Sequence, residues 1–95
     1  MKVFKVEPNQ KGYVKEINNT LETLQSEIGG YIQVCYLPNG LVAIVDEEGL
    51  IKDLPQNMYL PMYGMIYGNI LFARCGDEDF EGLTDDDIKK LQKEV

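Results

Sequence analysis

Five apolar residues, Val14, Ile17, Leu21, Leu24 and Ile28, recur at intervals of three and four, and Gly29-Gly30 follows at once. That rhythm places them along one stripe of an α-helix beginning near Tyr13. The paired glycines supply the left-handed stop that glycine alone adopts without strain. A helix with one apolar stripe has to lie on something, and the flanking sequence offers strands. Lys2–Val6 is β-branched and weakly alternating, and Pro8-Asn9 breaks it. Tyr31–Leu37 and Leu41–Val45 flank Pro38-Asn39-Gly40, and an Asn-Gly step between apolar runs predicts a hairpin.

Beyond the hairpin, Asp46-Glu47-Glu48-Gly49 makes a polar turn, and Leu50–Leu54 is expected to extend the meander. Pro55 and Pro61 bracket Gln56–Leu60, which reads as irregular because neither proline can donate to a ladder. Gly64–Tyr67 and Ile70–Ala73, on either side of Gly68-Asn69, read as a second hairpin or as one bent strand. Thr84 and Asp87 form a capping box for a C-terminal helix, with Leu83 and Ile88 placed as a hydrophobic staple. Asp85, Asp86 and Asp87 sit at the positive end of its dipole, and Lys89, Lys90 and Lys93 nearer the negative end. The expected fold is α+β: a small, mostly antiparallel sheet with one amphipathic helix packed on it and a short C-terminal helix. At 95 residues the chain is expected to be a single domain, residues 1–95.

The chemistry is narrowed by what is absent. There is no histidine, and the two cysteines, Cys35 and Cys75, are far apart in sequence and read as small buried hydrophobes. Nucleophile–histidine pairs and the usual zinc sites are therefore excluded, and no catalytic residue, metal or cofactor is expected. Formal net charge is −7, and residues 77–87 carry seven acids and no base. Such a surface repels a phosphate backbone, so direct nucleic-acid binding is disfavoured. No apolar run approaches the roughly 20 residues that cross a bilayer, so no membrane association is expected.

Asp77-Glu78-Asp79-Phe80-Glu81-Gly82 imitates the start of a calcium loop, but the twelfth position is Ile88 where a bidentate glutamate is needed. The only arginine, Arg74, suits a bidentate phosphate or carboxylate clamp, or a strand-end ion pair with the adjacent acids. Met58, Tyr59, Met62, Tyr63 and Tyr67 crowd one segment, and Met and Tyr are enriched where proteins meet ligands or partners. With Arg74 they form the expected ligand or interface set. Asp77, Asp79, Asp85, Asp86 and Asp87 form the expected acidic docking face.

Glu27-Ile28-Gly29-Gly30, Tyr31-Ile32-Gln33-Val34, Asp46-Glu47-Glu48-Gly49, Leu54-Pro55-Gln56-Asn57 and Gly82-Leu83-Thr84-Asp85-Asp86-Asp87-Ile88 together resemble an uncharacterised family, the domain-of-unknown-function family 3846. The likeness spans most of the chain and rests on packing and turn residues. In that family the position after the Leu-Pro-x-Asn turn is often basic, whereas here it is Met58. The resemblance implies an accessory protein of bacteriophages, plasmids and conjugative elements, whose genes often lie near ones thought to counter host defences; with no apolar span, it is expected in the cytoplasm of the bacterial host. Joined to the missing catalytic residues, it implies a non-enzymatic binder. The first expectation is an oligomer that sequesters a nucleotide-derived immune signal near Met58–Tyr67. The alternatives are an acidic inhibitor docking on a basic surface of a host defence protein, and a small carboxylate-dependent hydrolase.

Overall fold

In the computed structural model, which describes residues 1–95, strand β1 (Lys2–Val6) turns back into β2 (Tyr13–Glu16), with Phe4 opposite Val14. Helix α1 consequently runs only from Leu21 to Ile28, and the expectation of a helix from Tyr13 is corrected. Val14 shares the helical spacing by coincidence: Tyr13-Val14 favours a strand and lies within hairpin reach of β1. The N-cap is Thr20, whose hydroxyl accepts the Thr23 N–H at 3.2 Å. Ile17 still joins the layer of Leu24 and Ile28, reaching it from the connecting loop. Gly29 ends the helix as expected, at φ 89° with its N–H on the Gln25 carbonyl at 2.7 Å.

Strands β3 (Ile32–Tyr36) and β4 (Leu41–Asp46) make the expected hairpin, with Asn39 at φ 65° and Gly40 at φ 76°. Residues 47–53 do not extend the meander but wind through turns. The cause is Asp46: its buried carboxylate accepts the Glu48 N–H and the Lys52 ammonium, each at 2.8 Å, and this coils the segment back over the strand end. Leu50 and Ile51 are left exposed.

Gln56–Leu60 is not irregular. It is strand β5, paired with β6 (Gly64–Tyr67) in a separate two-stranded ribbon whose register shifts between Gln56 and Tyr59. Pro55 and Pro61 stand just outside the ladder, so their missing donors cost nothing. Gly64–Tyr67 and Ile70–Ala73 accordingly form neither a hairpin with each other nor one bent strand. At Gly68, φ 94°, the chain leaves the ribbon and enters β7 (Ile70–Cys75) in the main sheet. Asn57 ties the two sheets together, donating its amide to the Val6 carbonyl at 2.9 Å and to Gly68 at 2.8 Å.

The main sheet is antiparallel, in the order β2-β1-β7-β4-β3, with the short β8 (Phe80–Glu81) continuing the β1 side of β7. Helix α2 (Asp85–Glu94) closes the chain with the capping box that Thr84 and Asp87 predict. The α+β expectation therefore stands, with one addition: both sheet faces are covered. Helix α1 packs over Val3, Val42, Ile44, Leu71 and Ala73, while α2 and the ribbon cover Phe4, Val6, Ala43, Val45, Ile70 and Phe72. This double burial explains why β4 and β7 are almost continuously apolar. Close packing also fixes Gly12, where an added Cβ would overlap the Phe4 ring. Gly12→Ala is expected to lower stability by about 1–3 kcal/mol, read by urea denaturation, because the buried ring has to move.

Candidate functional site

The ribbon divides the Met/Tyr segment between two grooves. On one side Met58 and Tyr59 join Leu37, Pro38, Leu91 and Val95 around a groove of about 400 Å³ with Lys90 at its rim. On the other, Tyr63, Met65 and Tyr67 face Gln33, Glu47 and Leu50 across a groove of about 140 Å³. Met62 occupies the ribbon tip, 98% exposed and held at φ 73°. Tyr63 has a defined polar contact: its hydroxyl accepts the Tyr36 N–H at 2.9 Å. The segment therefore presents half-buried and exposed side chains on two surfaces, not one pocket.

Arg74 lies apart from these residues. Its guanidinium donates Nε to Asp87 at 2.7 Å and Nη2 at 3.0 Å, so the bidentate fork is occupied from within the chain. The expectation of an ion pair with the sequence-adjacent acids is corrected as to partner, since the carboxylate comes from α2 and not from Asp77–Asp79. Asp87 also accepts the Thr84 N–H at 2.9 Å. The Arg74 hydrogen bonds, aided by Thr84, hold the Asp87 carboxyl below its ordinary range against the opposing effect of burial. Asp87 is thus buried and leaves the acidic face, which Asp77, Glu78, Asp79, Asp85 and Asp86 present to solvent. Of the cysteines, Cys35 is buried, and burial pushes its thiol up, while Cys75 is exposed at a strand end.

One charged cluster carried no spacing signal in the sequence. Lys5 is buried on the α1 side of the sheet and donates to Glu27 at 2.9 Å, and Lys15 reaches the same carboxylate at 2.8 and 2.9 Å. Burial pushes the Glu27 carboxyl up, but the two ammonium groups together outweigh it and the net shift is downward. Lys15 is raised by its hydrogen bond to Glu27. Antiparallel pairing explains the meeting: Val3 opposes Lys15 and Lys5 opposes Tyr13, which sets both ammonium groups under the last turn of α1. The two carboxyls with shifted protonation therefore sit on opposite faces of the sheet, Glu27 held ionised by two lysines and Asp87 by one arginine. No three carboxylates and thiols converge as a metal site would need, and no helix is long and apolar enough to cross a membrane.

Among curated proteins and among solved structures, none matches this chain. One family model does, over residues 1–95, and its description is Domain of unknown function (DUF3846). With the match extending over the full length, the chain belongs to the DUF3846 family.

Proposed function

We propose that this chain is a non-enzymatic binding domain of a mobile genetic element, which counters a bacterial defence by docking its acidic face on a basic surface of a host protein. The observation that carries the reading is the exposed group Asp77, Glu78, Asp79, Asp85 and Asp86, none of which forms an ion pair within the chain, while Arg74 is taken up by Asp87. Exposed carboxylates left without an ion pair steer a basic partner and fix its orientation. Hydrolysis has less support, because a general acid needs a raised carboxyl and Asp87 and Glu27 both shift downward. The test is the efficiency of plating of a restricted phage on cells that carry the defence system and express the chain. Neutralising Asp77, Asp79, Asp85 and Asp86 together to asparagine is expected to reduce protection by tenfold or more (about 1.4 kcal/mol of binding). Undiminished protection by the folded variant would count decisively against the reading.

A second reading draws on the groove beside Met58 and Tyr59. Its volume of about 400 Å³ and a tyrosine wall suit a small nucleotide-like ligand, with Lys90 and Glu94 both on its lining. Calorimetry against cyclic di- and trinucleotides tests it, and absence of heat with all of them removes it. Self-association through the exposed Met62 tip would pair with either reading and is measured by sedimentation equilibrium.

A further inference from the structure

Strand β3 is an edge of the main sheet and pairs only with β4. In an antiparallel ladder alternate residues turn their main-chain groups toward the partner strand. The Leu37 N–H meets the Leu41 carbonyl and the Glu47 N–H meets the Tyr31 carbonyl, both at 2.9 Å, so the odd-numbered residues bond inward. Ile32, Val34 and Tyr36 therefore direct N–H and C=O outward. The Tyr63 hydroxyl takes the Tyr36 N–H, which leaves Ile32 and Val34 as a row of open donors and acceptors.

Sheets ordinarily blunt such an edge with charge, proline or a bulge. The opposite edge follows the rule, since β2 carries Lys15 and Glu16. Tyr31-Ile32-Gln33-Val34-Cys35-Tyr36-Leu37 carries no charged residue and no proline, and its register with β4 is unbroken. The charge lies at its two ends instead. Glu47 and Glu48 stand at the Tyr31 end, and at the other end Tyr36 shares a cavity of about 380 Å³ with Asp77, Glu78 and Asp79. On the ribbon side of the strand lies the groove bounded by Gln33, Tyr63 and Met65, with Glu47 also on its lining.

We propose that the β3 edge is a strand-addition site for an extended segment of a partner protein, with alternating apolar residues in its middle and a basic residue at each end. The inference rests on the reading of the chain as a protein-binding domain and names the part of the partner that is held. Main-chain bonds to Ile32 and Val34 supply affinity, and the groove beside Tyr63 and Met65 receives side chains from one face of the added strand. A second copy fits poorly. Two-fold antiparallel pairing about Val34 would set the Glu47-Glu48 corner of one copy against the Asp77–Asp79 loop of the other, like charge on like. Basic ends answer both clusters at once.

The test is an amide-resolved NMR titration of the intact chain with a blocked peptide, Lys-Lys-Val-Thr-Val-Thr-Val-Lys-Lys. Saturable shifts are expected along residues 31–37 and at Tyr63. N-methylating the peptide amides that face β3 is expected to weaken binding about tenfold or more through the lost hydrogen bonds. Replacing the terminal lysines by glutamates is expected to weaken it comparably. No shift at millimolar peptide, or equal binding of the N-methylated peptide, overturns strand addition. Shifts centred on Asp85 and Asp86 overturn it too, yet leave the acidic-face reading standing. A dimer in sedimentation that Val34→Pro splits assigns the edge to a second copy and overturns the partner segment.

Discussion

Replacing Leu71 by alanine is expected to destabilise the chain by about 3–5 kcal/mol. Leu71 is fully buried in β7, between β1 and β4, and joins Leu24 and Ile28 of α1 in one apolar layer. Its backbone is held by ladders on both sides, since Lys5 and Ile44 both pair with it. The space vacated by the side chain therefore cannot close, and the cavity adds to the lost transfer free energy. For a small domain whose whole stability is roughly 5–15 kcal/mol, a loss of this size removes much of the margin. Leu21→Ala is the control: Leu21 is 58% exposed on the helix that carries Leu24 and Ile28, and should change stability by no more than about 0.5 kcal/mol. Urea midpoints for the two variants measure the contrast, and equal midpoints would show that burial does not rank these positions.

Asp87→Ala carries the second large effect, expected at about 2–4 kcal/mol near neutral pH. One carboxylate closes the capping box of α2 and receives the Arg74 fork, so its loss strips the helix start and leaves a half-buried guanidinium unpaired. The pH dependence follows from the direction of the Asp87 shift. Its folded pKa lies below the unfolded one, so the contribution is complete above the unfolded value of about 4 and is lost as pH falls through the folded value. Glu27, shifted the same way, adds to the acid sensitivity of the parent chain. The gap between parent and variant should therefore be wide at pH 7 and narrow steadily below about pH 4. Denaturation midpoints that differ equally at pH 7 and pH 2.5 would mean the carboxylate charge is not what stabilises the fold.

Local chemistry was the legible part of the sequence. Thr84 with Asp87, Gly29 after Ile28, and Asn39-Gly40 each specify a cap or turn within a few residues, and each occurs where expected. The misreadings share a different cause, which is pairing decided at long range. Tyr13–Glu16 became a strand because β1 lay within hairpin reach, overriding a spacing that imitated a helix. Gln56–Leu60 became a strand because β6 pairs with it and Asn57 anchors it to Val6, and neither contact leaves a periodic trace. The candidate residues were affected in the same way. Asp87 and Arg74 were both singled out, yet only the packing of α2 against β7 reveals that they neutralise each other. The open edge of β3 was invisible, because edge position is a property of strand order.

Strand order also governs how the chain can be assembled during translation. The central position belongs to Ile70–Cys75, and Lys2–Val6 has only Tyr13–Glu16 beside it until that later segment emerges from the ribosome. Nearly three-quarters of the 95 residues must wait, with apolar strands unsheltered, for the keystone to be synthesised. Such a high contact order places folding in the slower range for small domains, and premature termination before residue 70 would release fragments prone to aggregate.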